Sequence, residues 1–294
     1  MNQDHREARE LLARAEAETW RLPPLLSPTR MAQSGRRIGA HGKRRAGTGY
    51  QFWQFRNAVP GEAVRQIDWR KSARSDACFV REKEQQSANT VLLWVDNSAS
   101  MRFSGSADRG TKADRGRLLA LCICMLLMRG EERLGLLGRP LKPDSSQAQL
   151  ERIAEELLAA DDTEYGVPPV NALPKGASII LISDFFGPWS ALETAIRRAA
   201  GTGAMGIAVQ LLDPIEIDFP FSGRTRFETP GGSLTFETME AAALRETYRG
   251  KLRQRQRQLA ELTSDCSWQC QFHDSAGPAT DSLLFLSRAI AGEH

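Results

Sequence analysis

The chain has 294 residues, enough for one large domain or two of ordinary size, and its 41% apolar and 26% charged residues argue against global disorder. A net charge of only +3 argues against a dedicated nucleic-acid binder working through bulk electrostatics. The most apolar stretch, Leu118 to Met128, falls short of the ~20 residues a bilayer span needs, so no membrane span is expected.

The opening residues, rich in charge, lack an apolar signal core, and residues 4–20 read as a helix with Leu11, Leu12 and Ala15 on one stripe. Pro23, Pro24 and Pro28 end it; whether it packs on the body or on a partner is left open. The cysteines (Cys78, Cys122, Cys124, Cys266, Cys270) are odd in number and scattered, which fits reduced thiols and a cytoplasmic location. Cys122 and Cys124 are expected to face different ways on a helix, and Cys266 and Cys270 could share a face. No histidine stands at the spacing of a zinc site.

Residues 35–49 hold five glycines and the bases Arg36, Arg37, Lys43, Arg44 and Arg45. They suit phosphate, but no GxxxxGK[ST] occurs, and a solvated connector is the plainer interpretation. Tyr50–Phe55 and Cys78–Glu82 read as strands, with a turn at Pro60-Gly61 and a short helix or turn over Asp68–Arg74.

From Thr90 strand and helix alternate. Strands are expected at 91–95, 133–137, 178–183, 204–212 and 268–273, and helices at about 113–129, 147–159, 189–200, 239–262 and 279–291. Residues 213–237, with Phe219, Phe221, Phe227 and Phe236, read as a β-hairpin insertion. Such alternation predicts an α/β, doubly wound, mostly parallel sheet preceded by a small β-rich segment. The divisions are 1–34 (helix and linker), 35–87 (β-rich) and 88–294.

Val91 to Val95 is an apolar run ending in Asp96, Ser98 and Ser100, a carboxylate and two hydroxyls at alternate positions. Ser178–Ser183 ends in a second carboxylate, Asp184. Ligands of open parallel sheets bind outside the carboxyl ends of the strands, so neighbouring strands would bring both carboxylates to one crevice. Two carboxylates, two hydroxyls and waters meet the demands of Mg²⁺, and Thr163, in DDTEYG, is the candidate for a further hydroxyl. The plainer alternative is that Ser and Asp after a strand cap a helix or shape a turn.

An aspartyl nucleophile at Asp96 would want a second carboxylate where Ser98 stands, and Ser98 lacks the flanking glycines of a nucleophile elbow. Enzyme action is therefore not expected. The alternatives from other classes are a metal-dependent phosphoesterase using Asp96 and Asp184, and a nucleic-acid-associated protein using 36–45 and the basic helix stretch 249–257.

D-N-S-A-S-M after the apolar strand resembles the metal-ion-dependent adhesion site of von Willebrand factor A-like domains. The run Gly47-x-Gly49-Tyr50-x-Phe52, Pro60-Gly61-Glu62-x-x-Arg65-x-Ile67-Asp68-Trp69, Ser72-Ala73-Arg74 and Val80-Arg81-Glu82 resembles the signature of the bacterial domain of unknown function, family 58. The resemblance covers about 35–290. It implies Mg²⁺ (or Mn²⁺) held by Asp96, Ser98, Ser100 and Asp184, with Thr163 the nearest match for the second loop, and an open coordination site for an acidic side chain of a partner. It also implies an adaptor working with a MoxR-type AAA+ ATPase, with Pro60, Gly61, Glu62, Arg65, Asp68, Trp69, Arg74 and Arg81 as structural or interface residues.

Overall fold

The computed structural model describes residues 3–25, 46–57, 79–84, 90–159, 161–171, 173–174 and 176–291. They belong to two units, one of residues 33–88 and one of residues 1–32 with 89–294. In the smaller unit, β1 (Ala46–Asn57) pairs antiparallel with β2 (Phe79–Glu84), from Ala46 opposite Glu84 to Asn57 opposite Phe79, with irregular register between Gly47 and Gln54. Arg81 lies on β2 opposite Phe55. Pro60, Gly61, Glu62, Arg65, Asp68, Trp69 and Arg74 lie outside the described residues.

The larger unit is built on five parallel strands. These are β3 (Thr90–Val95), β4 (Arg133–Leu136), β5 (Ser178–Ser183), β6 (Met205–Leu212) and, past a small hairpin of β7 (Thr225–Glu228) and β8 (Thr235–Thr238), β9 (Gln269–Asp274). Their order is β4-β3-β5-β6-β9. Its helices are α1 (Gln3–Thr19), α2 (Lys112–Arg129), α3 (Gln147–Leu158), α4 (Trp189–Gly201), the short α5 (Pro214–Asp218), α6 (Arg245–Asp265) and α7 (Ala279–Ala291).

The central strands are apolar on both faces because both are covered. Val91, Leu93, Val95, Ile180, Ile182, Ile207 and Val209 join one core with α1, α2, α3 and α7. Leu92, Ile179, Leu181 and Ala208 join the other with α4, α6 and Trp268. All six positions of β5 are buried. α1 packs on the body through Ala8, Leu11 and Ala15, which answers the question the sequence left open. α2 starts in a capping box, with Thr111 and Asp114 exchanging side-chain-to-backbone bonds. It is apolar nearly all round, with the sheet on one side and α1 on another, so Cys122 and Cys124 are both fully buried although they stand two residues apart on the helix. Burial pushes the Cys122 thiol up to about 12. Cys266 follows the end of α6 and Cys270 lies on β9, so they do not share a helix face.

The insertion is more compact than expected. It opens with α5, whose box pairs Asp213 and Glu216, and only 225–228 and 235–238 form the hairpin. Phe219 packs against Phe221, Phe227 and Tyr248 at 5.1, 5.6 and 4.7 Å between ring centres. The long helix begins later than expected, at Arg245 after a 3₁₀ turn over Ala241–Leu244, because Ala241 N–H is drawn to the Gly223 carbonyl. No helix among the described residues is long and apolar enough to cross a membrane.

One topological feature positions the site. The chain leaves β3 for β4 on one side and returns to β5 on the other. The switch point therefore falls between the carboxyl ends of β3 and β5, where open α/β sheets hold their ligands.

Candidate functional site

At the end of β3, Asp96 N–H bonds the Ile182 carbonyl and so extends the pairing with β5. Its carboxylate accepts from Ser98 N–H (2.9 Å at Oδ1) and from the Ser183 hydroxyl (2.7 Å at Oδ2). The Ser98 and Ser100 hydroxyls are 3.2 Å apart. None of Asp96, Ser98 and Ser100 is more than 3% exposed. Burial pushes the Asp96 carboxyl up, against the bonds from Ser98 and Ser183. Asn97 is equally committed: its amide donates to the Leu157 and Ala159 carbonyls at the end of α3 and accepts from Arg117.

The segment after α3 is fastened over this turn. Ala99 N–H bonds the Thr163 carbonyl (2.9 Å) and Ser100 N–H the Glu164 carbonyl (3.0 Å), while Arg102 donates to the Asp161 carbonyl (2.6 Å). Gly166 then lies directly on the Asp96 carboxylate. A β-carbon there would stand 2.3 Å from Oδ1 and 2.7 Å from Oδ2, so only glycine permits the approach. Thr163 contributes its carbonyl to this seam, and its side chain belongs to an exposed residue.

At the end of β5, Asp184 accepts from Phe186 N–H at Oδ1 (3.0 Å). Phe185 between them is buried and left-handed (φ 53), a costly conformation for a bulky residue that its packing and its bond to the Ser183 hydroxyl hold in place. Oδ2 of Asp184 receives the Lys112 ammonium at 2.8 Å. That ammonium also donates to Glu216 Oε1 at 2.6 Å and lies 5.3 and 5.8 Å from the Phe186 and Phe103 ring centres. Lys112 and Asp184 are each 1% exposed. Burial alone would drive the proton off Lys112. The attraction of Asp184 and Glu216 outweighs it and lifts the ammonium above its usual range. Glu216 is fixed from its other side by Asp213 N–H (2.9 Å).

The structure thus brings Asp96, Ser98 and Ser100 into one buried knot and sets Asp184 on the next strand, but it does not bring the Thr163 hydroxyl to them. This set does not fit a divalent ion with an open coordination position. Gly166 lies on the Asp96 carboxylate, Asp184 already carries a cation, and the exposed Thr163 supplies its carbonyl rather than its hydroxyl. Among the described residues no group of three or more His, Cys, Asp or Glu side chains is arranged to hold a metal.

Sequence reasoning missed Lys112, Glu216, Ser183 and Gly166. A signal for the first was present: Lys112 stands on the stripe Gly116, Leu119, Ile123, a lysine on the buried face of an apolar helix. Of the basic stretch 249–257, Arg249 bonds the Asp218 carbonyl, and Arg255 bonds the Phe186 and Gly187 carbonyls and covers Trp189. Lys251, Arg253 and Arg257 are exposed. Residues 36–45 lie outside the described residues.

Fold and site define an α/β protein with a parallel sheet whose switch-point crevice is closed by its own loops. Comparison with known proteins narrows the class. The family described as "Protein of unknown function DUF58" matches residues 54–258, and the chain belongs to that family. It is similar to Uncharacterized protein Rv1480 of Mycobacterium tuberculosis and Uncharacterized protein Mb1516 of Mycobacterium bovis. Each is 26% identical over 217 residues, covering 69% of this chain and 67% of the relative. Among solved structures, conserved hypothetical protein BatB from Bacteroides thetaiotaomicron gives a TM-score of 0.39 at 14% identity, over 70% of this chain and 100% of that one. An Uncharacterized Membrane Spanning Protein from Vibrio fischeri gives 0.21 at 14% identity, over 69% of this chain and 98% of that one. At such scores neither likeness carries an argument.

Proposed function

We propose that the larger unit is a von Willebrand factor A-like domain and that the protein is a binding adaptor, not an enzyme, which works beside a MoxR-type AAA+ ATPase in assembling or activating a client. The Asp96-x-Ser98-x-Ser100 turn at the switch point, the acidic end of β5 and an antiparallel bridge between Leu134 of β4 and Asp144 support the domain assignment.

One observation carries the binding role. The β7–β8 hairpin and the turn after it expose Leu234 (70%), Phe236 (56%) and Met239 (74%). The hairpin reaches the strand-end loop, since Glu164 accepts long bonds from Gly231 N–H and the Ser233 hydroxyl (3.4 Å each). Large apolar side chains grouped on a surface mark protein contacts. The resemblance would have a partner's acidic residue complete a Mg²⁺ or Mn²⁺ ion; the closed crevice offers no such position, and the proposal rests on the hairpin instead.

The test is binding of the purified chain to a MoxR-type ATPase from the same genome, beside a variant with Leu234→Ser, Phe236→Ser and Met239→Ser. The variant should keep its melting temperature and lose about tenfold or more in affinity, the loss expected when central apolar anchors are cut back. Undiminished binding by the variant, no binding by the parent chain, or turnover of a phosphate ester that disappears in Asp96→Ala would sink the proposal.

A further inference from the structure

The crevice that the resemblance would assign to a metal already contains a positive charge. Lys112 is the first residue of α2, and its side chain runs inward from the helix start to the acidic end of β5. The ammonium has carboxylate oxygens of Asp184 and Glu216 at 2.8 and 2.6 Å and the rings of Phe186 and Phe103 on other sides. A buried ammonium is stable only where carboxylates pair it, and a buried carboxylate such as Asp184 has the reciprocal need. Meanwhile the three oxygen-bearing residues of the first loop are joined to one another, to Ser183 and to the segment 161–166, with Gly166 pressed on the Asp96 carboxylate.

From this we infer that Lys112 is the resident cation of this site: its ammonium supplies the positive charge that a divalent ion would bring to Asp184, and the strand-end crevice is assembled without metal. The inference deepens the adaptor proposal by removing metal from it, but it rests on the crevice and not on the hairpin. It can fail while partner binding stands, and the reverse.

The probe is Mn²⁺ or Mg²⁺ alone, titrated by calorimetry into the full chain, into Lys112→Met and into Lys112→Met with Asp184→Asn. The parent chain should show no saturable binding. Lys112→Met, which leaves Asp184 and Glu216 facing each other without a counter-charge, should gain saturable binding, and the double variant should lose it again. Saturable binding by the parent chain that disappears in Asp184→Asn overturns the inference, as does a folded Lys112→Met that gains nothing. Should Lys112→Met not fold, the parent chain decides by itself. Its buried ammonium should give a slowly exchanging proton–nitrogen signal that is absent in Lys112→Arg and is unaffected by Mn²⁺. Broadening of that signal at stoichiometric Mn²⁺ would place a metal beside Lys112 and overturn the inference.

Discussion

Asp96 and Asp184 stand at the ends of neighbouring strands, are 2% and 1% exposed, and are held by different means. Asp96 meets a backbone amide, a hydroxyl and the backbone of Gly166, and its carboxyl is pushed up by burial. Asp184 meets an amide and a full positive charge. The comparison separates two ways of keeping an acid inside a protein: neutral donors that shape a turn, and a counter-ion that α2 carries in. Only the second brings a full opposite charge from another element, 72 residues away in sequence. The largest expected effect is therefore at Lys112. Lys112→Met strands Asp184 and Glu216 together, and removing one partner of a buried pair costs ~3–5 kcal/mol. Urea unfolding followed by circular dichroism measures it; a loss below ~1 kcal/mol would mean that the carboxylates do not depend on this ammonium.

His273 sharpens the comparison, because it is a buried base without such carboxylate partners. It is 7% exposed on β9, its Nδ1 is hydrogen-bonded with the Ser282 hydroxyl (2.6 Å), and its Nε2 is buried without a hydrogen-bond partner. Burial, reinforced by Arg115 and only partly offset by Asp274 and Asp281, pushes it down to about 4. The unfolded chain then takes up the proton first as pH falls. The stability that neutral His273 preserves is complete above ~6.5 and is lost between there and 4, by about 3 kcal/mol. Denaturant midpoints taken across that range should fall in the parent chain and stay flatter in His273→Gln; equal slopes would refute the buried neutral imidazole.

Gly166→Ala tests the cover over Asp96 in the same way. The added carbon would stand 2.3 Å from Oδ1, so the segment 161–166 must lift or its bonds to Ala99 and Ser100 must stretch. Overpacking of this kind costs ~1–3 kcal/mol. Faster amide exchange at Ala99 and Ser100 in the variant would localise the strain, and unchanged exchange there would remove Gly166 from its assigned place.

The alternation of apolar runs and amphipathic stretches made the parallel sheet legible, since a strand such as Ser178–Ser183 has no polar face to hide and a helix such as α3 has one. The acidic strand ends were legible for the same reason: each is the first charged residue after a buried run. What closes the crevice was not. Pattern arguments work within one element, whereas Lys112 meets Asp184 and Glu216 through the tertiary arrangement of α2, β5 and α5, and Gly166 meets Asp96 across a loop. The sequence does show Lys112 on an apolar stripe, but only the fold says which acids it reaches. The hairpin came out smaller than expected because aromatic residues suggest strands wherever they cluster, and Phe219 and Phe221 cluster around Tyr248 instead.

The smallest effect should come from Asp96→Asn, and it bears most directly on the contrast between the two acids. An asparagine can keep its carbonyl toward Ser98 N–H, so the bond that shapes the turn survives. Its amide would face the Ser183 oxygen, which now accepts from Phe185 N–H and donates to Asp96. That hydroxyl would have to accept from both sides and aim its proton elsewhere. The net loss is one side-chain hydrogen bond, ~1 kcal/mol, while the burial of a charge at Asp96 is relieved. The same change at Asp184 leaves Lys112 with Glu216 alone and should cost more. If Asp96→Asn proves the more damaging of the two by urea unfolding, the carboxylate charge at Asp96 has a partner beyond Ser98 and Ser183, and the division between a turn-shaping acid and a charge-paired acid is wrong.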